Sequence, residues 1–261
     1  MLDEVTISRA IIDRYNEKLQ DCLDLDVAIA GAGQAGMIAA YHLANAGLKV
    51  AIFEKKLSPG GGMWGGGMLF NEIVVQEEGK RILDELGIKC RKYGDHYYTA
   101  DSIESTAKIL AKAMDAGARI FNCFTVEDTM IKNGRVCGFV VNWTPVEMAG
   151  LHVDPLTIGC KYAIEATGHP LAVLSVLERK HGKDGKPFNT DTGRLMWERP
   201  MDATTGETAV MQNTREVFPG IYVVGMASNA VYGSPRMGPV FGGMLLSGEK
   251  AAREIIDKLK K

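Results

Sequence analysis

The sequence predicts an α/β fold built on a central parallel sheet with a β-hairpin inserted into it. Three observations carry this. Leu25 to Ala30 is an apolar run, followed by a glycine turn, a helical segment and a second apolar run, Leu48 to Phe53. So short a crossover implies that the two strands pair in parallel. Phe124–Ile131 and Val136–Asn142 flank Asn133-Gly134, the dipeptide favoured in a type I′ hairpin turn. Two later apolar runs, Ile158 to Ala166 and Gly220 to Gly225, have strand length and complete the sheet. A chain of 261 residues without an internal repeat or low-complexity linker reads as one domain, residues 1–261, with insertions and an N-terminal helix.

The elements follow in order. Residues 5–19 carry Ile7, Ile11, Ile12, Tyr15 and Leu19 at helical spacing, which predicts an amphipathic helix. The strand at 25–30 leads through the glycine turn into a helix over about 34–46, which Gly47 ends. After the strand at 48–53 comes a glycine loop over 59–68. A helix is predicted over 76–86, stopping at Gly87, and another from its cap Asp101 to about Ala116, stopping at Gly117. The hairpin and the strand at 158–166 come next. Residues 182–214 are polar and rich in Gly, Pro, Thr and Asp, which predicts loops or short irregular pieces. A second glycine-rich loop over 233–243 leads into a C-terminal helix over about 244–260.

Composition bounds the function. Apolar residues at 46% and charged residues at 24% describe an ordinary soluble globular protein. The net charge of −2 and the dispersed basic residues argue against a nucleic-acid partner. No apolar run is long enough to span a membrane, and the acidic N-terminal segment lacks the pattern of a signal peptide. Cys22, Cys90, Cys123, Cys137 and Cys160 are scattered without a CxxC pair, so they read as free thiols in a reducing compartment, the cytoplasm by default.

Gly31-Ala32-Gly33-Gln34-Ala35-Gly36 is a GxGxxG placed directly between a strand and a helix. Gly31 permits the tight turn, Gly33 lets a pyrophosphate approach the backbone, and Gly36 lets the helix pack on the strand. The helix N-terminus offers free N–H groups to the phosphates. Glu54 ends the second strand, where an acid accepts from the adenosine ribose and favours NAD or FAD over NADP. Strand, turn, helix and acid in register define a Rossmann-like dinucleotide-binding fold. The continuation into Glu54-Lys55 and a glycine loop resembles the glutathione-reductase-like flavoprotein superfamily. In that superfamily a late strand ends in Gly-Asp, and the Asp binds the flavin side of the cofactor. Here the run is Val224-Gly225-Met226, and Met226 in place of the acid argues for a dinucleotide other than FAD.

Asp154 and His169 flank the strand at 158–166 and are the strongest metal pair in the chain. A carboxylate and an imidazole suit divalent iron, manganese or zinc, and two protein ligands leave positions open for substrate. From spacing alone a second reading stands beside this one. A His after Thr-Gly is often a capping residue, and an Asp before Pro often starts a turn.

Further motifs extend over nearly the whole chain: Gly60-Gly61-Gly62-Met63-Trp64-Gly65-Gly66-Gly67-Met68, His152-Val153-Asp154-Pro155, Ala166-Thr167-Gly168-His169 and Gly233-Ser234-Pro235-Arg236-Met237-Gly238-Pro239. Together with the GxGxxG and Glu54-Lys55 they resemble the eukaryotic and archaeal thiazole synthases of thiamine biosynthesis. The resemblance implies that NAD is a substrate: nicotinamide leaves, and the ADP-ribose moiety is isomerised and condensed with glycine. Sulfur is then added, and cyclisation with loss of water gives an adenylated thiazole carboxylate. It implies nucleotide contacts at Gly31, Ala32, Gly33, Gly36, Glu54, Lys55, Gly62, Val126, His152, Val153, Asp154 and Met226. It also implies iron(II) held by Asp154 and His169 of neighbouring protomers, the glycine carboxylate held by Arg236, and a homo-octamer with shared sites. The planar fork of Arg236 suits such bidentate recognition, although an arginine taken alone is more often an ordinary exposed residue.

Position 152 bears on the sulfur source. In the eukaryotic branch it is a cysteine that gives up its own sulfur, so that enzyme works once. Here it is His152, which has no sulfur to give, and the resemblance is to archaeal-type catalysts that take free sulfide and turn over. Cys160 is the nearest thiol and looks like a packed strand residue. His152 itself is read either as a catalytic acid or base, since imidazole titrates near neutral pH, or as a spacer touching the nucleotide. A flavin- or NAD-dependent oxidoreductase, a sugar-phosphate isomerase and a non-catalytic nucleotide-binding or assembly protein are the competing readings. Met226 weakens the flavin version of the first, no separate sugar-phosphate motif supports the second, and the third leaves the Asp154/His169 pair without a purpose.

Overall fold

Alternation along the two first strands sets the architecture. Val27 and Ile29 of β1 (Asp24–Ala30), with Val50 and Ile52 of β2 (Val50–Glu54), enter one apolar cluster. Ala28, Ala30, Ala51 and Phe53 enter the other. Successive side chains of a strand point to opposite faces, so the sheet is buried on both sides, as parallel sheets are. The computed structural model describes residues 1–181 and 185–260. Residues 182–184, part of the stretch expected to be irregular, lie outside the described residues.

α1 (Glu4–Asp21) precedes β1, and α2 (Gln34–Asn45) connects β1 to β2. A 3-10 turn at Gly61–Gly65 lies in the glycine loop. Then follow β3 (Glu72–Val75), α3 (Glu77–Glu85), β4 (Arg91–Tyr93), β5 (Tyr97–Asp101), α4 (Ser102–Asp115) and β6 (Arg119–Asn122). The hairpin is β7 (Phe124–Lys132) and β8 (Arg135–Trp143), followed by α5 (Thr144–Met148), β9 (Leu156–Glu165) and α6 (Ala172–His181). α7 (Ala203–Asn213), β10 (Arg215–Phe218), β11 (Ile221–Val223), α8 (Met226–Tyr232) and α9 (Gly242–Leu259) complete the described chain.

The large sheet runs β10-β11-β9-β1-β2-β6, parallel from β11 to β6, with β10 antiparallel at its edge. β9 is the organising strand. One edge of it pairs with β1 over Gly159–Glu165. Its other edge takes the hairpin strand β8 at Leu156–Gly159 and then β11 at Ala163–Glu165. The inserted hairpin therefore joins the parallel sheet without displacing it. At the turn Asn133 (φ 52°) and Gly134 (φ 71°) are both left-handed, as a type I′ turn requires. On one face α2 packs against α9, and a Cβ on Gly248 would lie 2.3 Å from the Ala35 carbonyl oxygen. On the other face Phe53 stacks on Phe121 with centroids 5.6 Å apart. Among the described residues no helix is long and apolar enough to cross a membrane.

The structure departs from the sequence expectations in identifiable places. The stretch 182–214 contains the helix α7, whose sequence is rich in Thr and includes Gly206. Propensity there is overridden by the Asp202 cap on Thr205 and by packing that needs Gly206 against the Pro235 carbonyl. α8 is buried on almost every side and so shows no helical stripe to read. The small antiparallel sheet β3-β5-β4 is made of strands of three to five residues, too short for a period to register. α1 forms as expected, but Ile7, Ile11 and Ile12 are exposed, and only Tyr15 and Leu19 reach the core.

Candidate functional site

The C-terminal ends of β1, β2, β9 and β11 open onto a cavity of about 1010 Å³. This is where open α/β sheets bind ligands, and the volume is at the upper end of ligand pockets, roughly 300–1,000 Å³. Its floor is the turn between β1 and α2. Gly31 has φ 98°, and a Cβ there would fall 2.6 Å from the Ala166 carbonyl oxygen. A Cβ on Gly36 would fall 2.4 Å from the Gly31 carbonyl oxygen, so this glycine serves helix–strand packing and does not line the cavity. Gly33 caps α2, with nothing nearer than 4.0 Å to its missing Cβ, and no side chain caps the helix. That end of α2 is therefore open to an anion. Ala32 is buried and does not line the cavity; its N–H donates to Glu54 and its carbonyl accepts from Gly60.

Glu54 stands on the cavity wall. Ala32 donates to its Oε2 at 2.7 Å and Lys56 donates to its Oε1 at 2.8 Å, both from backbone N–H. Each oxygen keeps a lone pair for a ribose hydroxyl. Lys55 also lines the cavity and pairs with Glu147 at 2.8 Å, while Thr125 donates to the same carboxylate at 2.9 Å. The Lys55 hydrogen bond is the largest influence holding Glu147 below the usual carboxylate range. Val126 is on this wall too.

The glycine loop folds over the floor. Gly60 N–H donates to the Ala32 carbonyl at 2.7 Å, and a Cβ on Gly61 would come within 3.1 Å of Gly33 Cα. Gly60, at φ 130°, lies under the Trp64 indole, which donates to the Pro59 carbonyl at 2.7 Å. The triple glycine thus lets one backbone lie against another, and Gly62 faces open space in the cavity lining.

The far wall is built at the end of β9. Glu165 is fully buried, and its carboxylate accepts from the backbone N–H of Thr167, Val173 and Leu174 at 2.8, 2.9 and 3.1 Å. It caps α6 and fixes the Ala166–Pro170 turn that presents His169. Burial pushes its carboxyl up despite those three donors. His169 lines the cavity, as do Met226 at the start of α8 and Arg236 in the Ser234–Pro239 run. Glu198 lies within 2.7–2.8 Å of His169 Nδ1 and 3.9 Å from Arg236 Nε. No local sequence signal marks Glu198, which sits in the stretch read as irregular; nor was a role for Glu165 visible before its contacts.

The loop after α5 is placed differently. His152, Val153 and Asp154 are exposed and do not line the cavity. Val153 is tied back by Asn142 Nδ2, which donates to its carbonyl at 3.1 Å. One chain therefore brings His169 and Arg236 to the cavity but leaves Asp154 outside it. Among the described residues no group of three or more His, Cys, Asp or Glu side chains could hold a metal ion. Cys160 lies inside β9, where burial pushes its thiol up to about 12.

A parallel α/β sheet with this glycine turn, terminal acid and strand-end cavity defines a Rossmann-type dinucleotide-binding fold. The Thi4 family pattern matches residues 8–241. Thiamine thiazole synthase of Methanothermobacter thermautotrophicus is 56% identical over 259 residues, covering 99% of both chains. That of Pyrococcus horikoshii is 56% identical over 260 residues, covering 100% of both. The crystal structure of THI4 from Thermovibrio ammonificans superposes with a TM-score of 0.97 at 54% identity over all of both chains. A geranylgeranyl bacteriochlorophyll reductase-like protein from Thermoplasma acidophilum, 14% identical with a TM-score of 0.57 over 91% of this chain and 79% of that one, shares the fold alone. The chain belongs to the Thi4 family, and with it to the enzymes of thiamine thiazole biosynthesis.

Proposed function

We propose that this enzyme consumes NAD, glycine and free sulfide, with iron(II), and releases nicotinamide and an adenylated thiazole carboxylate over repeated turnovers. The observation that supports this most strongly is a single cavity joining the glycine turn of β1–α2 to His169 and Arg236. A dinucleotide lying on the turn, with its ribose hydroxyls on Glu54, reaches toward both residues. Arg236 binds the glycine carboxylate through its guanidinium fork, next to the carbon skeleton left when nicotinamide departs. Met226 occupies the place where flavoproteins keep an acid, which favours NAD over FAD.

Asp154 and His169 would hold the iron. The donor set fits: an imidazole whose Nδ1 is already engaged by a carboxylate leaves Nε2 for a metal, and a hard carboxylate suits iron(II). Asp154 would come from a neighbouring protomer, consistent with its exposed loop. Iron bound there supplies Lewis acidity and a template for sulfide and substrate. The uncovered apolar stripe of α1 and the exposed Leu151 and Val153 support a homo-oligomer, an octamer by family resemblance, with sites shared between protomers, and the scattered free thiols favour the reducing cytoplasm.

Sulfide is the sulfur source in this reading because the histidine at position 152 has no sulfur to give and the nearest thiol, Cys160, is buried. His152 is either an acid/base group or a spacer at the nucleotide. Mass spectrometry of the ligand that copurifies tests the class: an adenylated thiazole or an ADP-ribose derivative agrees with it. A bound flavin, or NAD that is reduced and not cleaved, contradicts it.

A further inference from the structure

Glu198 joins two residues that the sequence keeps far apart. Both its oxygens lie within 2.7–2.8 Å of His169 Nδ1, and Oε1 is 3.9 Å from Arg236 Nε. His169 and Arg236 line the cavity, and Glu198 does not. Its side chain is 19% exposed, against 43% for His169 and 56% for Arg236, so it stands behind both.

The backbone is built to put it there. Trp197, the preceding residue, adopts φ 58°. A bulky side chain in the left-handed region is strained and persists only where its surroundings impose it. The indole is itself 48% exposed, so its own packing does not impose the conformation. Backbone hydrogen bonds on either side do. Met196 N–H donates to Val231 at 3.1 Å, Arg199 N–H to Ser234 at 3.1 Å, Arg236 N–H to Arg199 at 3.2 Å, and Asp202 N–H to Arg236 at 2.9 Å. Residues 196–202 are thereby stitched to the segment that carries Arg236, and the kink at Trp197 turns Glu198 inward.

We propose that Glu198 is a positioning residue that sets the geometry of both ends of the reacting centre. It accepts the Nδ1–H of His169, which fixes the tautomer and ring orientation that leave Nε2 for a divalent metal ion. The same carboxylate draws Arg236 toward His169, so that the substrate carboxylate and the metal are held in one register. A carboxylate on the Nδ1 side, behind the cavity wall, is not placed to ligate a metal at Nε2. The inference rests on the reading of His169 as a metal ligand and Arg236 as the glycine site.

The test uses full-length oligomeric protein stripped of metal and titrated anaerobically with cobalt(II), read by calorimetry and by its visible absorption. Glu198→Ala weakens cobalt affinity roughly 10–100-fold, the range for lost outer-shell partners of a ligating histidine. Glu198→Gln, whose amide oxygen still accepts from Nδ1–H, loses less. Glu198→Ala also raises the KM for glycine, while NAD affinity stays within twofold. If both variants bind cobalt as wild type does, Glu198 does not position His169 and the inference falls. A lowered Tm with unchanged cobalt affinity and glycine KM overturns it equally, since that marks a purely structural role. His169→Ala separates the two levels. If it too binds cobalt normally, the metal reading of His169 fails and this inference with it. If His169→Ala loses cobalt while Glu198→Ala keeps it, only the inference about Glu198 is wrong.

Discussion

Burial decides which thiol and which imidazole matter near β9. Cys160 is closed inside the sheet, where burial pushes its thiol up to about 12 and disfavours the reactive thiolate. Iodoacetamide at pH 8 is expected to leave Cys160 unlabelled in the folded protein, by peptide mapping; labelling at native conditions would mean the strand opens. His152, eight residues earlier, is exposed beside Asp154, at the position where the family resemblance implies a sacrificial cysteine in the eukaryotic branch. His152→Cys is expected to yield a sulfide-independent single-turnover product, with the protein lighter by one sulfur in its intact mass. An unchanged mass and no product would remove this position from the sulfur question. His169 and Arg236, which the fold brings to one cavity, were legible because each sits in a motif, whereas the motif at His152 and Asp154 lies outside that cavity. Glu198 was not legible, because only the folding of a distant segment brings it to His169.

At the scale of elements, the turn between β1 and α2 separates packing glycines from binding glycines. An alanine at Gly36 meets the Gly31 carbonyl at 2.4 Å, which only a backbone shift relieves. Gly36→Ala is expected to cost about 2 kcal/mol in urea denaturation. Gly62 has nothing within 4 Å of its missing Cβ and faces the cavity. Gly62→Ala is expected to hold stability within about 0.5 kcal/mol and to weaken NAD binding in a direct titration. Stability loss at Gly62 and none at Gly36 would invert this assignment. Glu165 links β9 to α6 and carries a pH signature. Burial raises its folded-state pKa above the ordinary 4.5, so its contribution to stability is greatest below that pH and declines as pH rises through the folded value. Glu165→Gln is expected to remove that downward slope, seen as the wild type minus variant difference in unfolding free energy across pH 4 to 8. The hairpin was readable because Asn133-Gly134 demands one turn geometry. α7 and α8 were not, since one has weak helix formers held by contacts and the other has no polar face.

At the scale of the molecule, one chain leaves its proposed site unfinished. Asp154 is outside the cavity that holds His169, and α1 presents Val5, Ile7, Ile11 and Ile12 to solvent. An exposed apolar stripe of this kind marks an interaction surface, and a second copy of the chain would supply both cover and carboxylate. Ile11→Asp with Ile12→Asp is expected to lower the oligomeric state in sedimentation velocity while far-UV dichroism stays unchanged, and to weaken metal binding in parallel. A full assembly in that variant would place the interface elsewhere. The measurement that bears most directly on the proposed reaction is a turnover assay with NAD, glycine and iron(II), with and without sulfide, reading product and intact protein mass together. Several equivalents of adenylated thiazole per protomer are expected only when sulfide is present, with the protein mass unchanged. At most one equivalent, formed without sulfide and accompanied by loss of a sulfur from the chain, would contradict the proposed reaction.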